Sequence, residues 1–182
     1  MILKLSKYTY CKYKLTESYI KNTFVLLSLG ANIGDKKSTI DKAVETLVES
    51  GVISQAVVSS YYGTEPYGVK DQNWFVNICV KGMTQHSPAD LLAKCKAIEK
   101  LYGRQERERW HERELDIDII FYGKEVVETD SLTIPHKEYR KRNFVLVPAS
   151  EIAGSYIPPN NDLSLEQLVK QCDDCCKIDK MN

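Results

Sequence analysis

The order of predicted strands and helices between residues 23 and 122 constrains the fold more than any other feature of this chain. Four short runs of apolar, β-branched and aromatic residues predict strands, at Thr23 to Leu29, Val52 to Tyr62, Trp74 to Lys81 and Leu115 to Tyr122. Between them, residues 40–48 and 91–102 place apolar side chains at helical spacing. The order strand, helix, strand, strand, helix, strand is typical of a ferredoxin-like fold. We therefore predict the α+β class, with a mainly antiparallel sheet and both helices on one face.

Residues that favour helix ends flank both predicted helices. Asp35 and Ser87 can act as N-caps, and Pro88 suits the first position of the second helix. Gly51 and Gly103 follow the last apolar residues, where glycine often ends a helix. The two helices are therefore predicted with defined starts and ends.

The rest of the chain predicts a C-terminal extension of short helices and loops, including a capped helix from Ser164 to Gln171. A chain of 182 residues is long enough for one hydrophobic core and too short for two of ordinary size. We predict a single domain over residues 23–171. Residues 1–22 form an extension to which we assign no chemistry, and residues 172–182 form a tail.

Charge and cysteine content narrow the class of protein. The formal net charge is +0, so the basic excess of a nucleic-acid or anionic-membrane binder is missing. No apolar run approaches the roughly 18 to 20 residues of a membrane span. Six cysteines form no disulfide framework, and residues 1–22 lack a signal-peptide cleavage site. We predict a cytoplasmic protein without nucleic-acid or membrane partners.

Two aspartates in the last predicted strand are candidate metal ligands. Strand alternation sends Asp116 and Asp118 side by side to one face. The core-facing set is Leu115, Ile117, Ile119 and Phe121. Two such carboxylates repel each other unless a cation lies between them, and Mg²⁺ commonly takes one or two carboxylates plus substrate phosphates. A solvated sheet face with two incidental acids is the alternative.

An arginine-rich segment directly precedes these aspartates. Its arginines are Arg104, Arg107, Arg109 and Arg113, with Trp110 among them. Guanidinium groups bind phosphate oxygens in bidentate fashion, so arginines beside two metal-binding carboxylates suit polyphosphate transfer. Interleaved glutamates leave a solvated loop of mixed charge as the alternative.

Three further side chains are weaker candidates. Phe75 and Asn77 share one face of a predicted strand and could offer a flat heterocycle a ring and an amide. Taken alone, Phe75 is better explained by ordinary packing under the C-terminal segment. His136 could donate a hydrogen bond to phosphate, although an isolated histidine is more often structural.

Three cysteines near the C-terminus fall short of the four ligands of a closed zinc site, and the Walker A motif is missing.

Short motifs spread over most of the chain share one resemblance. The first set is Ser28-Leu29-Gly30-Ala31-Asn32-Ile33-Gly34-Asp35, Ser59-Ser60-Tyr61-Tyr62, Thr64-Glu65-Pro66-Tyr67-Gly68 and Phe75-Val76-Asn77. The second set is Gly103-Arg104, Arg109-Trp110, Arg113-Glu114-Leu115-Asp116-Ile117-Asp118, Leu132-Thr133-Ile134-Pro135-His136 and Arg142-Asn143-Phe144. In this order and spacing, the chain resembles the 6-hydroxymethyl-7,8-dihydropterin pyrophosphokinase family from about residue 23 to 168.

The resemblance implies an enzyme of folate biosynthesis that transfers the β,γ-diphosphate of ATP to the hydroxymethyl group of the pterin and releases AMP. It implies two Mg²⁺ ions at Asp116 and Asp118, with Arg104 and Arg113 also catalytic. The implied pterin-binding residues are Gly30, Thr64, Pro66, Tyr67, Phe75, Asn77 and Phe144. The implied ATP-binding residues are Glu99, Arg104, Arg109, Trp110, Arg113, Ile119, Thr133, His136 and Arg142. We expect a monomer whose partners are these two small molecules.

The chain departs from the family pattern at several places. His111 and Glu112 stand where the family usually has Gly-Pro, and Glu106 stands where its second loop arginine usually lies, with Arg107 one place later. Lys137 replaces an aromatic residue of some relatives. The aspartate pair and the implied aromatic pair are retained, so the predicted activity is unchanged.

Other functions are compatible with the predicted fold. A non-catalytic ferredoxin-like ligand-binding domain would not need paired aspartates beside an arginine-rich segment. A metal-dependent nucleotide hydrolase would use those aspartates but would not need Phe75 and Asn77. A single-strand RNA binder is disfavoured by the balanced charge. The pyrophosphokinase is the function that uses all of these residues.

Overall fold

An antiparallel sheet organises the chain. The computed structural model describes residues 22–66, 71–105 and 112–181. The strands are β1 (Thr23–Ala31), β2 (Ser54–Val58), β3 (Tyr62–Thr64), β4 (Phe75–Thr84), β5 (Asp116–Tyr122), β6 (Val127–Glu128), β7 (Thr133–Ile134) and β8 (Ile178–Lys180). The helices are α1 (Lys36–Glu49), α2 (Pro88–Leu101), α3 (Asn143–Ala153) and α4 (Leu165–Lys170), with a 3₁₀ helix at Tyr139–Lys141.

Strand order places β4 at the centre of the sheet. The main sheet runs β5-β1-β4-β3-β8, with β2 also paired to β4, and β6 pairs with β7 separately. Every strand pair among the described residues is antiparallel. The predicted α+β class and the predicted order of the first elements are confirmed. Among the described residues, no helix combines the length and hydropathy needed to span a membrane.

Helix ends follow the sequence signals. The Asp35 carboxylate accepts a hydrogen bond from Ser38 N at 3.2 Å, and the Ser87 hydroxyl accepts one from Asp90 N at 3.2 Å. Both side chains thus satisfy backbone N–H groups that a helix start leaves without a partner. Gly103 ends α2 at a φ of +85°, a conformation that a residue with a Cβ rarely adopts.

Two hydrophobic layers cover the sheet unequally. On one face, α1 and α2 pack over strand residues such as Leu27 and Leu29. On the opposite face, α3 and α4 pack over Leu26, Cys79 and neighbouring side chains. Each fully buried Leu or Ile stabilises the fold by about 1.5–3 kcal/mol. The second layer does not cover the whole face, and the uncovered part carries the cleft described below.

The predicted second strand, Val52 to Tyr62, was wrong in extent. It divides into β2 and β3, and β3 extends to Thr64, two residues beyond the predicted end at Tyr62. Ser59 interrupts the strand because its hydroxyl accepts a hydrogen bond from Cys79 N at 3.0 Å in place of a backbone carbonyl. A separate register shift between β2 and β4 lies within β2, between Ser54 and Val57.

The predicted direction of Phe121 was also wrong. Leu27 pairs with Ile119 but Leu26 pairs with Phe121, so Ile120 is an extra residue, a β-bulge, in β5. Phe121 therefore packs in the α3 and α4 layer, and Tyr122 packs in the α1 and α2 layer. Alternation from Leu115 holds as far as Ile120 and is then shifted by one residue.

The tail contributes a strand that the sequence did not predict. Within residues 172–182, β8 pairs with β3 and forms an edge of the main sheet. The short β6–β7 hairpin was not predicted either. The predicted boundaries at residues 22 and 171 stay a prediction.

Candidate active site

A cleft of about 370 Å³ lies on the sheet face that α3 and α4 leave partly uncovered. Strands β1, β3, β4 and β5, helix α2 and the start of α3 supply its walls. The lining residues are Ser28, Gly30, Thr64, Glu65, Phe75, Asn77, Lys96, Arg104, Arg113, Asp116, Asp118, His136, Lys137, Arg142 and Phe144.

Two carboxylates form the acidic part of the cleft. Asp116 and Asp118 lie two residues apart on β5, and each side chain is 33% exposed. Their partners on β1 are Gly30, which has no side chain, and Ser28, which has a small one, so the space above the strand is left open. The predicted placement of both aspartates on the face away from α1 and α2 is confirmed.

A network of cations surrounds these acids. Arg104 forms an ion pair with Asp116, and its Nη1 lies 2.5 Å from Oε1 of Glu99. Lys96 Nζ lies 2.9 Å from the same Glu99 oxygen. On the other side, Arg142 Nη1 lies 3.8 Å from Oδ2 of Asp118. Guanidinium groups therefore reach both aspartates from opposite walls.

Glu99 is the buried acceptor that holds this network together. Its side chain is 1% exposed, and its Oε1 also accepts a hydrogen bond from Ile117 N at 2.7 Å. Burial raises the pKa of Glu99, although the hydrogen bond and charge of Lys96 oppose the rise. The residue fixes α2 against the backbone of β5 between the two aspartates.

The two aspartates differ in their protonation equilibria. Burial, followed by the nearby charge of Asp116, raises the pKa of Asp118 to about 6. Burial also opposes ionisation of Asp116, but the charges of Arg104 and then Lys96 outweigh it and lower its pKa. A divalent cation between the two carboxylates would remove the repulsion that Asp118 experiences.

The opposite part of the cleft carries an amide and two aromatic rings. Asn77 Nδ2 donates a hydrogen bond to Thr64 Oγ1 at 2.7 Å, so the amide is held in one orientation. Phe75 pairs with Thr64 across β3 and β4, and Phe144 lines the cleft from the start of α3. The Arg142 guanidinium carbon lies 5.5 Å from the centre of the Phe144 ring. A planar ligand would find two aromatic rings and a polar amide among the lining residues.

Asn32 ties together the segments that flank the cleft, and no chemical pattern in the sequence indicated this role. Its Oδ1 accepts from Arg113 N at 2.7 Å, and its N donates to Arg113 O at 2.9 Å. Its Nδ2 donates to Gln72 Oε1 and to Asn73 O at 3.1 and 3.2 Å. One buried amide therefore fixes the positions where two surface segments leave the sheet.

His136 is attached to the cleft through the bulge in β5. Its backbone N donates to the Ile120 carbonyl at 3.0 Å. Burial, followed by the positive charge of Arg142, lowers the pKa of His136 to about 4. The imidazole is therefore neutral at neutral pH and can accept or donate a hydrogen bond without carrying charge.

Most of the site residues predicted from sequence meet in this cleft. Those that line it are Gly30, Thr64, Phe75, Asn77, Arg104, Arg113, Asp116, Asp118, His136, Arg142 and Phe144. Four others do not line it: Pro66 and Glu99 are buried, Ile119 packs in the α1 and α2 layer, and Thr133 is exposed on β7. Tyr67, Arg109 and Trp110 lie outside the described residues, as do Glu106, Arg107 and His111. Their roles stay predictions.

Sequence reasoning missed Ser28, Glu65 and Lys96 as cleft residues, and it noted Lys137 only as a departure. The sequence could have indicated Lys96 as a cleft residue, because it lies three residues before Glu99 on α2 and so shares its helix face. Ser28 and Glu65 lie within motifs of the pyrophosphokinase resemblance, but no chemical pattern distinguishes them from their neighbours.

The pairing of carboxylates with guanidinium groups suits a polyphosphate, and the two rings suit a flat heterocycle. Fold and site together define a small-molecule transferase. The sequence model described as 7,8-dihydro-6-hydroxymethylpterin-pyrophosphokinase (HPPK) matches residues 26–154. The chain therefore belongs to this family, and it is a pyrophosphokinase of folate biosynthesis.

Curated relatives agree with this membership. The chain is 36% identical over 156 residues to the 2-amino-4-hydroxy-6-hydroxymethyldihydropteridine pyrophosphokinase of Haemophilus influenzae, covering 86% of this chain and 96% of the relative. It is 42% identical over 135 residues to the Aquifex aeolicus protein of the same name, covering 74% of this chain and 83% of that one.

Solved structures agree with the fold. A Plasmodium falciparum HPPK-DHPS wild type with pteroate aligns with a TM-score of 0.66 at 16% identity, covering 83% of this chain and 42% of that one. At this identity the likeness shows the fold alone. This chain spans less than half the length of that solved protein.

Proposed function

We propose that this chain transfers the β,γ-diphosphate of ATP to the hydroxymethyl oxygen of 6-hydroxymethyl-7,8-dihydropterin and releases AMP. One observation carries the proposal: a single cleft holds both the carboxylate–arginine cluster and the aromatic–amide pocket. A polyphosphate and a flat alcohol bound in these two parts would meet inside one cavity. Holding two substrates in reacting geometry accounts for much of the rate gain in such transfers.

The aromatic part of the cleft is proposed to bind the pterin. Phe75 and Phe144 would contact the two faces of the ring, and Asn77 would bind its polar edge. The hydrogen bond from Asn77 to Thr64 fixes which amide atom points toward Gly30. Because the amide offers both an acceptor and donors, it can match the mixed edge of a pterin.

The basic part of the cleft is proposed to bind the phosphates of ATP. Arg104, Arg113 and Arg142 supply guanidinium groups, and Lys96 supplies an ammonium group. Arg104 pairs with Asp116 in this structure, so a bound polyphosphate would compete for the same guanidinium. Burial lowers the pKa of Arg104, but the charges of Asp116 and Glu99 outweigh it and raise that pKa, so the residue stays cationic.

Asp116 and Asp118 are the proposed ligands of two Mg²⁺ ions. Their donor set fits this metal, because both side chains offer oxygen and face the cleft. Among the described residues there is no group of three or more acidic, His or Cys side chains that could hold a metal. The remaining ligands would therefore be substrate phosphates and water, as is usual for Mg²⁺. When bound, the metal would neutralise charge on the phosphate oxygens.

The proposed reaction makes one bond and breaks another. The pterin hydroxyl oxygen forms a bond to the β-phosphorus, and the bond from that phosphorus to the α,β-bridging oxygen breaks. AMP leaves with the bridging oxygen, and the hydroxyl proton is released. Arg104 and Arg113 would stabilise the charge on the transferred group. A nucleotide hydrolase would use the same acids but would leave the aromatic–amide pocket without a role.

A product assay tests this proposal. The protein is mixed with MgATP and 6-hydroxymethyl-7,8-dihydropterin, and the nucleotides are separated. We expect AMP only when the pterin is present, together with a diphosphorylated pterin, and loss of both products with EDTA. ADP or free phosphate as the main product would instead identify a kinase or hydrolase.

We also propose that the protein is a monomer whose catalytic domain spans residues 23–171. Light scattering coupled to gel filtration tests the monomeric state.

A further inference from the structure

The C-terminal residues 174–181, which we call the C-terminal strap, run along the aromatic side of the cleft. They lie beyond residues 26–154, which the family model matches. At one end the strap contacts the first residue of α3, next to Phe144. At the other end its strand β8 pairs with β3, which carries Thr64. The strap therefore contacts both the start of α3, which carries Phe144, and strand β3, which pairs with the strand that carries Phe75.

Asp174 caps α3 from a distant part of the chain. Its Oδ2 accepts from Asn143 N at 3.0 Å, and its backbone O accepts from Asn143 Nδ2 at 2.6 Å. The α3 N-cap residue, Arg142, provides no side-chain hydrogen bond of its own. A carboxylate at this position satisfies a free N–H and complements the helix dipole. Asp174 thus fixes the turn that presents Arg142 and Phe144 to the cleft.

The other end of the strap holds the facing wall. Thr64 pairs with Ile178 on one side and with Phe75 on the other, so three residues lie in register across β8, β3 and β4. Glu65 N donates to Lys177 O at 3.1 Å, and Lys177 N donates to a Glu65 carboxylate oxygen at 3.4 Å. These contacts fix the strand edge that carries Thr64 and Phe75.

We propose that the C-terminal strap is a positioning element for the pterin, and that Asp174 is its positioning residue. By binding both walls, the strap sets the separation between Phe75 and Phe144. The inference rests on the proposed pterin site. The phosphate side is held differently, because Arg104, Glu99 and Asp116 bind one another rather than the strap.

The test compares Asp174→Ala with Asp173→Ala. Asp173 is the adjacent exposed acid, so its variant makes the same charge change without removing the carboxylate that accepts from Asn143 N and Cys176 N. The dissociation constants of 6-hydroxymethyl-7,8-dihydropterin and of MgATP with a non-hydrolysable α,β bridge are measured separately by equilibrium titration. Asp174→Ala removes the acceptors of both Asn143 N and Cys176 N. We expect it to weaken pterin binding by about three- to tenfold, in the range of the net contribution of a hydrogen bond, and nucleotide binding by less than about twofold. Asp173→Ala should match the wild type for both ligands.

A conservative variant separates positioning from folding. Asp174→Asn keeps one oxygen acceptor for Asn143 N, so its pterin affinity should lie between the wild type and Asp174→Ala. Unchanged pterin affinity in both Asp174 variants, or an equal loss for both ligands, would overturn the inference. Turnover of the wild type separates the two proposals: failure to form AMP counts against the proposed function, whereas the affinity comparison alone decides the role of the strap.

Discussion

Gly30 and Asn77 face each other across β1 and β4, and a Cβ at residue 30 would overlap Oδ1 of the Asn77 side chain. The absence of a side chain at Gly30 is therefore what allows the Asn77 amide to lie flat against the strand. Its Nδ2 can then reach Thr64. The aromatic–amide pocket depends on this close approach of backbone and amide.

Gly30→Ala should move the Asn77 amide and disrupt its hydrogen bond to Thr64. We expect pterin affinity to fall by about tenfold or more, in line with losing an oriented polar contact. Gly63→Ala on β3 is the matched control, because a Cβ there would meet Trp74 and Met181 side-chain atoms at ordinary contact distances of 3.7 and 3.8 Å. Equilibrium titration with the pterin measures both variants. Equal affinities in the two variants would contradict the role assigned to Gly30.

Asp118→Asn should abolish transfer without unfolding the protein. The substitution preserves shape but removes a charge proposed to bind Mg²⁺, so we expect the rate of AMP formation to fall by at least about 100-fold. Stability should be maintained, because burial already disfavours the ionised form and raises the pKa of Asp118 to about 6. Asp130→Asn, at an exposed acid between β6 and β7, should retain full activity. Near-normal turnover of Asp118→Asn would remove this residue from the metal site.

Glu99→Ala should destabilise the fold strongly. It would leave Ile117 N without its acceptor and Arg104 without one of its two carboxylate partners. Breaking a buried ion pair costs about 3–5 kcal/mol, and we expect a loss of about 3 kcal/mol in the free energy of unfolding, measured with urea. Glu99→Gln keeps an oxygen for Ile117 N and should lose less. Glu45→Ala, on the exposed face of α1, should change stability by less than about 0.5 kcal/mol.

His136 should make stability depend on pH between about 6.5 and 4. Its folded pKa is lowered to about 4 by burial and by Arg142, whereas the unfolded side chain titrates near its ordinary value of 6.5. In this window the unfolded state binds more protons, so the free energy of unfolding falls as pH decreases. Urea unfolding at pH 7.5 and pH 5 should show a larger loss for the wild type than for His136→Gln. Equal losses of stability in the two proteins would show that the pKa of His136 is not lowered in the folded state.

The main sheet and the acidic part of the cleft were predictable because they depend on local patterns. Asp116 and Asp118 follow directly from strand alternation, and the caps at Asp35 and Ser87 follow from side-chain chemistry near the helix ends. The family resemblance then indicated Phe144, which no periodic pattern marks. Its partner across the cleft, Phe75, shares a strand face with Asn77.

The features that escaped prediction depend on contacts between distant residues. The break at Ser59 exists because Cys79, twenty positions away, donates to its hydroxyl. The cap on α3 comes from Asp174, thirty-one positions from Asn143. β8 is three residues long and has no measurable period, so only its pairing with β3 makes it a strand. Neither propensity nor spacing within a short window contains such information.

The β-bulge at Ile120 divides β5 into a half that supplies cleft residues and a half that supplies core residues. Before it, the carboxylates of Asp116 and Asp118 face the cleft. After it, Phe121 packs in the α3 and α4 layer and Tyr122 packs in the α1 and α2 layer, the reverse of what regular alternation predicts. The carbonyl of the extra residue anchors His136. Deleting Ile120 would therefore leave Phe121 and Tyr122 in their present layers, but it would remove the carbonyl that anchors His136 and so detach a cleft residue. Tolerance of insertions and deletions should be low in this short stretch and higher in the turn at Lys124, so the length of β5 is itself a determinant of the active site.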